Sequence, residues 1–454
     1  MQFKKFIICL GLLLFFHVSQ ASDVHEYHLK NGFTVLVKED HRAPVVISEI
    51  WYKVGSSYEP NGITGISHAL EHMMFRGTKK YGPNVLEQMI AANGGLQNAF
   101  TANDFTAYYQ QFSFDKLAIS FELESDRMRN LLLRSEDFAK EIQVVMEERR
   151  MRVDDDSRET LLERLNATAF VESPYHHPVI GWKNDLENMT ISDLKNWYKA
   201  WYAPNNAILV VVGDVEANAV YRLAQRYFGP IEPSPLPVLK PFSEIKALGQ
   251  RRLDLHIPAR LPWLVMAYSV PVIRSDVKST DPYVLDIIAT LLSGGDSARF
   301  TKNLVRGRQI AADINIFYNP FTRFNNLFLL DATPSPGHTL AELETALWDQ
   351  IKRLQTCRVD TAELTLAKTQ ISASKIYQED SIAKQANELG SLAAIDLPWT
   401  IQKNYLTKIN AVTPRQIQEV AQRYLLPRYS IVAYLHPLPL YSFQPATRGG
   451  WHAR

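Results

Sequence analysis

The chain has 454 residues, with 49 Lys and Arg against 48 Asp and Glu, for a formal net charge of +1. So even a balance leaves no basis for a nucleic-acid binder or for a polybasic membrane-surface protein. The length suits two globular domains of ordinary size, and two cysteines exclude a disulfide-built scaffold.

Residues 1–21 read MQFKKFIICLGLLLFFHVSQA: two lysines, an apolar run too short to span a bilayer, then Ser19 and Ala21 at a small-x-small site. This predicts a signal peptide cut after Ala21 and an exported mature chain, periplasmic or secreted, with Cys357 as its one thiol. No later stretch approaches ~18 uninterrupted apolar residues, so no membrane span is expected. His28 to Val37, with Asn31-Gly32, predicts a hairpin. Val45 to Val54 predicts a strand stopped at Gly55. Gly65 to Gly77 carries Ile66, Leu70, Met73 and Met74 at helical spacing and reads as an amphipathic helix. A second helix from about Asn84 ends at Gly94-Gly95, and Leu96 to Asn103 and Thr106 to Phe112 read as strands. Long helices are expected over about 115–133 and 135–154, then a capped helix Thr190 to Trp201 and a buried strand Ala207 to Val212. Pro230, Pro233, Pro235, Pro237 and Pro241 then predict an extended connector.

The second half repeats the first at low similarity. Thr190-Ile-Ser-Asp193, Tyr202-Ala-Pro204 and the strand from Ala207 match Thr413-Pro-Arg-Gln416, Tyr424-Leu-Leu-Pro427 and the strand from Ser430. Asp281-Pro282 caps a helix ending at Gly294-Gly295, where the first half has its histidine helix. A duplicated α/β domain follows: residues 22–228 as the first copy, 229–250 as linker, 251–436 as the second, and 437–454 as an extended tail.

The chemistry concentrates in His68-Ala69-Leu70-Glu71-His72. On a helix, positions i and i+4 lie one above the other, so both imidazoles can face one ion, which is half of a zinc site. Glu71 shares that face and can serve as a base on a water held there. H-x-x-E-H is the inverse of the commoner H-E-x-x-H order. A zinc centre with an open position needs a third protein ligand. Lys140 to Arg150 offers Glu141 and Glu148, two helical turns apart on one face, unless this run is an ordinary solvated helix face.

His68 to His72, with Glu148 lying 76 residues beyond His72 and seven beyond Glu141, resembles the zinc signature of the pitrilysin family. That family includes insulin-degrading enzyme and the mitochondrial processing peptidase. Asn98-Ala-Phe-Thr101, Asp104-Phe-Thr106-Ala-Tyr108, Gly181-Trp182 and Tyr202-Ala-Pro204-Asn-Asn206 extend the resemblance over the mature chain. It implies an α/β (α+β) fold of two duplicated domains, each an antiparallel sheet flanked by helices. It implies one zinc ion on His68, His72 and Glu148, Glu71 as general base, and Glu141 orienting a ligand from behind. Asn98, Ala99, Phe100 and Thr101 would form a sheet edge that takes a peptide as an added strand. Members that complete the site within one chain or a homodimer carry an Arg and a Tyr seven residues apart in the second half. Here those places hold Val305 and Ala312. Arg306, Arg308 and Tyr318 lie nearby without the spacing. The expectation is therefore a zinc endopeptidase or oligopeptidase subunit acting on extended peptides, in a heterodimer with an Arg/Tyr-bearing homologue rather than a homodimer. The alternatives are a non-catalytic structural or assembly subunit of the same fold, or a processing peptidase dedicated to one peptide.

Overall fold

A computed structural model describes residues 24–245 and 248–440. The expected signal peptide and most of the expected tail lie outside the described residues. The first sheet holds β1 (Val24–His28), β2 (Thr34–Glu39), β3 (Val45–Tyr52), β4 (Leu96–Thr101), β5 (Thr106–Ser113) and β6 (Ala207–Gly213), in the order β1-β2-β6-β3-β5-β4. The second holds β7 (Arg251–Pro258), β8 (Trp263–Val270), β9 (Ala311–Phe317), β10 (Asn326–Pro334) and β11 (Ser430–Leu438), in the order β7-β11-β8-β10-β9. Removing β1 leaves the two orders superimposable strand for strand, which is the duplication in structural form. The sheets are antiparallel except for one pair each, β2 with β6 and β7 with β11, which run parallel. The expected antiparallel sheets flanked by helices are present, with those two parallel pairs as additions. In each copy the parallel partner arrives after a long helical excursion rather than through a hairpin. β11 also runs to Leu438 beside Pro258, past the expected domain end at residue 436.

β6 is buried at every position and β3 at all but Val45, so these central strands have both faces covered. On one face Val46, Ile50, Tyr52, Leu209 and Val211 pack with Leu194 of the helix Ile191–Trp201 and Phe121 of the helix Leu117–Asn130. The other face, with Ile47, Trp51, Ile208, Val210 and Val212, is covered by Ala386, Leu389 and Ala394 of the helix Ile382–Ala394 from the second half. The exchange is reciprocal. The helix Ser157–Ala169 from the first half lays Leu161, Leu165 and Ala169 on Val265, Ala267, Ile431 and Ala433 of the second sheet. Each half thus lends a helix to the other's sheet, and the two share continuous apolar cores. Full burial of one Leu contributes roughly 1.5–3 kcal/mol, so separating the halves would expose several such increments. Gly390 permits the contact: a Cβ there would stand 2.1 Å from the Trp51 ring.

Glu49 lies on that shared face with no exposed surface. Its carboxyl accepts from the Trp51 indole at 2.8 Å and from the Asn387 amide at 3.4 Å. Burial pushes its pKa up to about 8, the Trp51 bond opposing. The folded state therefore keeps a proton that the unfolded chain releases near pH 4.5, and stability falls by about 1.4 kcal/mol per pH unit between those values. Above pH 8 the loss is complete. Glu49→Gln removes this slope while keeping an acceptor for Trp51. Its melting temperature should match wild type near pH 5 and exceed it by a widening margin up to pH 8. A margin independent of pH in scanning calorimetry would show that Glu49 is not held protonated.

Candidate metal centre

The helix Ile66–Met73 begins at Gly65, whose φ of 85° is left-handed and which has no side chain to cap the helix. Glu59 caps in its place: one carboxylate oxygen accepts the Gly65 N–H at 2.7 Å and the other the Ser67 N–H at 2.8 Å. Gly65 faces Gly181 so closely that a Cβ on either would stand 2.4 Å or less from a backbone oxygen of the other's segment. Arg149, buried on the helix Ser135–Arg149, holds Gly181 in place by donating to its carbonyl and to Glu163, each at 2.7 Å. The two helices that carry the candidate ligands are thus braced against one another. Ile66, Leu70 and Met73 anchor the inner face of the first, which turns His68, Glu71 and His72 outward toward the Ser135–Arg149 helix.

The structure brings His68, His72 and Glu148 together. One donor atom from each lies within 4.8 Å of the others. The nearer Glu148 oxygen is 3.6 Å from Nε2 of His68 and 3.4 Å from Nε2 of His72. Donors about 2.0–2.1 Å from a tetrahedral ion stand roughly 3.4 Å apart, so this spacing fits zinc. Burial, then His72 and Arg152, hold the His68 pKa down to about 3, which keeps the imidazole in its neutral, ligating form. Behind His72, Nδ1 lies 3.4 Å from Glu141, whose other oxygen pairs with Arg76. The second Glu148 oxygen pairs with Arg152 at 2.8 Å, reached through a π-helical turn, Arg150–Asp154, that extends the helix. On the same helix Val145 is buried, whereas Val144 is 48% exposed.

Glu71 is raised above the usual carboxyl pKa by burial, with the Thr101 hydroxyl and His72 pulling the other way. That hydroxyl donates to Oε2 of Glu71. Thr101 ends β4, which among the described residues pairs only with β5 and has no strand on its outer edge. Ala99 packs toward the first core, on the same side as Thr101. Phe100 turns to the opposite face, edge-on to Trp51 at 5.4 Å, so its side chain lies away from the metal centre. Asn98 is exposed, its side-chain oxygen accepting the neighbouring Ala99 N–H at 2.9 Å. In the second half Val305 packs on the core and Ala312 is exposed on β9. Arg306 pairs with Asp296, and the Tyr318 hydroxyl donates to Pro271. Sequence reasoning missed Arg76, Arg152 and Glu59. The two arginines carried a signal, each four residues past a candidate ligand; Glu59, nine residues before His68, carried none.

Two duplicated α/β halves, with a His, His, Glu cluster and an adjoining carboxylate in the first, define a two-domain metallopeptidase fold. The comparisons make it specific. Residues 34–182 match Insulinase (Peptidase family M16), and residues 188–371 match the Peptidase M16 inactive domain. The chain belongs to peptidase family M16. It is 29% identical over 422 residues to the zinc protease PqqE of Helicobacter pylori, covering 90% of this chain and 92% of that one. It is 23% identical to a probable mitochondrial-processing peptidase subunit beta of Arabidopsis thaliana, covering 93% of this chain and 80% of that one. A protease from Helicobacter pylori, known as a crystal structure, superimposes with a TM-score of 0.86 at 29% identity, covering 92% of this chain and all of that one.

Proposed function

We propose that this chain is the zinc-bearing subunit of an exported endopeptidase that cleaves extended peptides. The convergence of His68, His72 and Glu148, with Glu71 beside them, carries this reading. His68, His72 and Glu148 would hold the ion, and Glu141 would fix His72 through its Nδ1. A zinc ion bound there would supply Lewis acidity, able to polarise a carbonyl and to make a water nucleophilic near neutral pH. Glu71, with its raised pKa, would accept a proton from an attacking water and return it to the leaving amine. The free edge of β4 aligns the peptide through main-chain hydrogen bonds, which select for extended chains over side-chain identity. Asn98 and Ala99 flank the scissile bond, and the Thr101 hydroxyl keeps Glu71 oriented.

The signal-like leader supports export, and the lack of Arg and Tyr at 305 and 312 supports a homologous partner that supplies them. The test is hydrolysis of an internally quenched peptide by residues 22–454, alone and mixed with an Arg/Tyr-bearing homologue. Activity is expected only in the mixture and should disappear on chelation. Full zinc-dependent activity of the chain alone would overturn the partner. No activity in either case would overturn the peptidase.

A further inference from the structure

The β4–β5 hairpin carries the proposed substrate edge, and its tip is fastened from the other half of the molecule. Asp104, 4% exposed, sits at that tip. Its Oδ1 accepts the Ser57 hydroxyl at 2.9 Å. Its Oδ2 accepts the Tyr175 hydroxyl at 2.6 Å and the Arg323 backbone N–H at 3.0 Å. The Tyr175 oxygen in turn accepts the Phe324 N–H at 3.2 Å. Arg323 and Phe324 belong to the connection between β9 and β10 in the second half, and the Arg323 guanidinium stacks 4.0 Å over the Tyr58 ring. On the other side of the tip the Ser56 and Ser57 N–H groups bond Ala102 and Asn103 at 3.1 and 2.7 Å.

Both ends of this knot lead to the metal centre. Three residues back from Asp104, the Thr101 hydroxyl holds Glu71. Two residues on from Ser57, Glu59 caps the helix that bears His68 and His72. We infer that Asp104 is a positioning residue: it transmits the placement of the metal-free half to β4 and, through Thr101, to Glu71. The second half would then act on the site through a buried carboxylate rather than through a side chain reaching the substrate. This inference rests on the peptidase reading above.

The geometry makes a distinctive demand. Asparagine can reproduce all three bonds, because its oxygen accepts from Tyr175 and Arg323 while its amide donates to a rotated Ser57 hydroxyl. Alanine reproduces none. In the activity mixture, Asp104→Ala should lower kcat/KM about a hundredfold, the scale of a 1 Å misplacement. Both kcat and KM should move, the first through Glu71 and the second through the substrate edge, at unchanged zinc content. Asp104→Asn should recover most of the loss, and Tyr175→Phe, which removes one donor, should fall between. Wild-type kcat and KM in folded Asp104→Ala, or an equal loss in Asp104→Asn, would overturn the inference. If Asp104→Ala does not fold, Tyr175→Phe decides in the same way. An inactive wild-type mixture removes the peptidase reading and this inference with it.

Discussion

Glu71→Gln is expected to bind zinc like wild type and to lose about 10²–10⁴-fold in turnover, the usual contribution of a positioned proton acceptor. Glutamine has the shape of glutamate and keeps an oxygen for the Thr101 hydroxyl, so the helix face and β4 are undisturbed. It also leaves His68, His72 and Glu148 their full donor set. What it lacks is basicity. Glu71 is buried enough for its pKa to rise, yet it is still stabilised as an anion by Thr101 and His72. A base poised in this way takes a proton at neutral pH and can give it up again, whereas an amide can do neither. Metal analysis and peptide hydrolysis on the same preparation separate the possibilities. Unchanged turnover would remove Glu71 from proton transfer. Loss of zinc would mean that its charge helps to assemble the centre.

The contrast between what the sequence disclosed and what it concealed follows from range. The His68 helix, the hairpin at Asn31-Gly32, the capping boxes at Thr190 and Thr413 and the strand β6 are written in local spacing and turn chemistry. The His68, His72 and Glu148 cluster was legible because two of its residues share one helix and the family spacing supplied the third. The exchange of helices between halves was not. Leu161 and Leu389 look like ordinary amphipathic-helix residues, and nothing local says that their partners lie on the other copy's sheet. Glu49 shows the same limit. A glutamate inside an apolar strand reads as an outward-facing position, and only the helix docked from the second half makes it buried. Phe100, placed on the substrate edge by the family resemblance through main-chain pairing, turns its side chain to the opposite face because alternation sends every second side chain there.

Glu148→Gln should empty the centre more completely than any change behind it. Glu148 is the only anionic member of the cluster, and its two oxygens have different duties. One faces both imidazoles, and the other pairs with Arg152. An amide cannot serve both. If its oxygen turns to the histidines, its NH₂ points at a guanidinium that can only donate; if it turns to Arg152, the NH₂ occupies the ligand position. Either orientation also removes the negative charge that offsets a dication. Glu141→Gln, by contrast, leaves all three ligands in place and loosens only the support of His72, a change of about 10–100-fold in metal affinity. Chelator competition should therefore rank wild type above Glu141→Gln and Glu141→Gln above Glu148→Gln, with the last losing roughly a further order of magnitude or more beyond that range. Wild-type affinity in Glu148→Gln would remove Glu148 from the ligand set. Equal losses in the two variants would mean that Glu141 contributes as much to holding the ion as Glu148 does, contrary to its place behind His72.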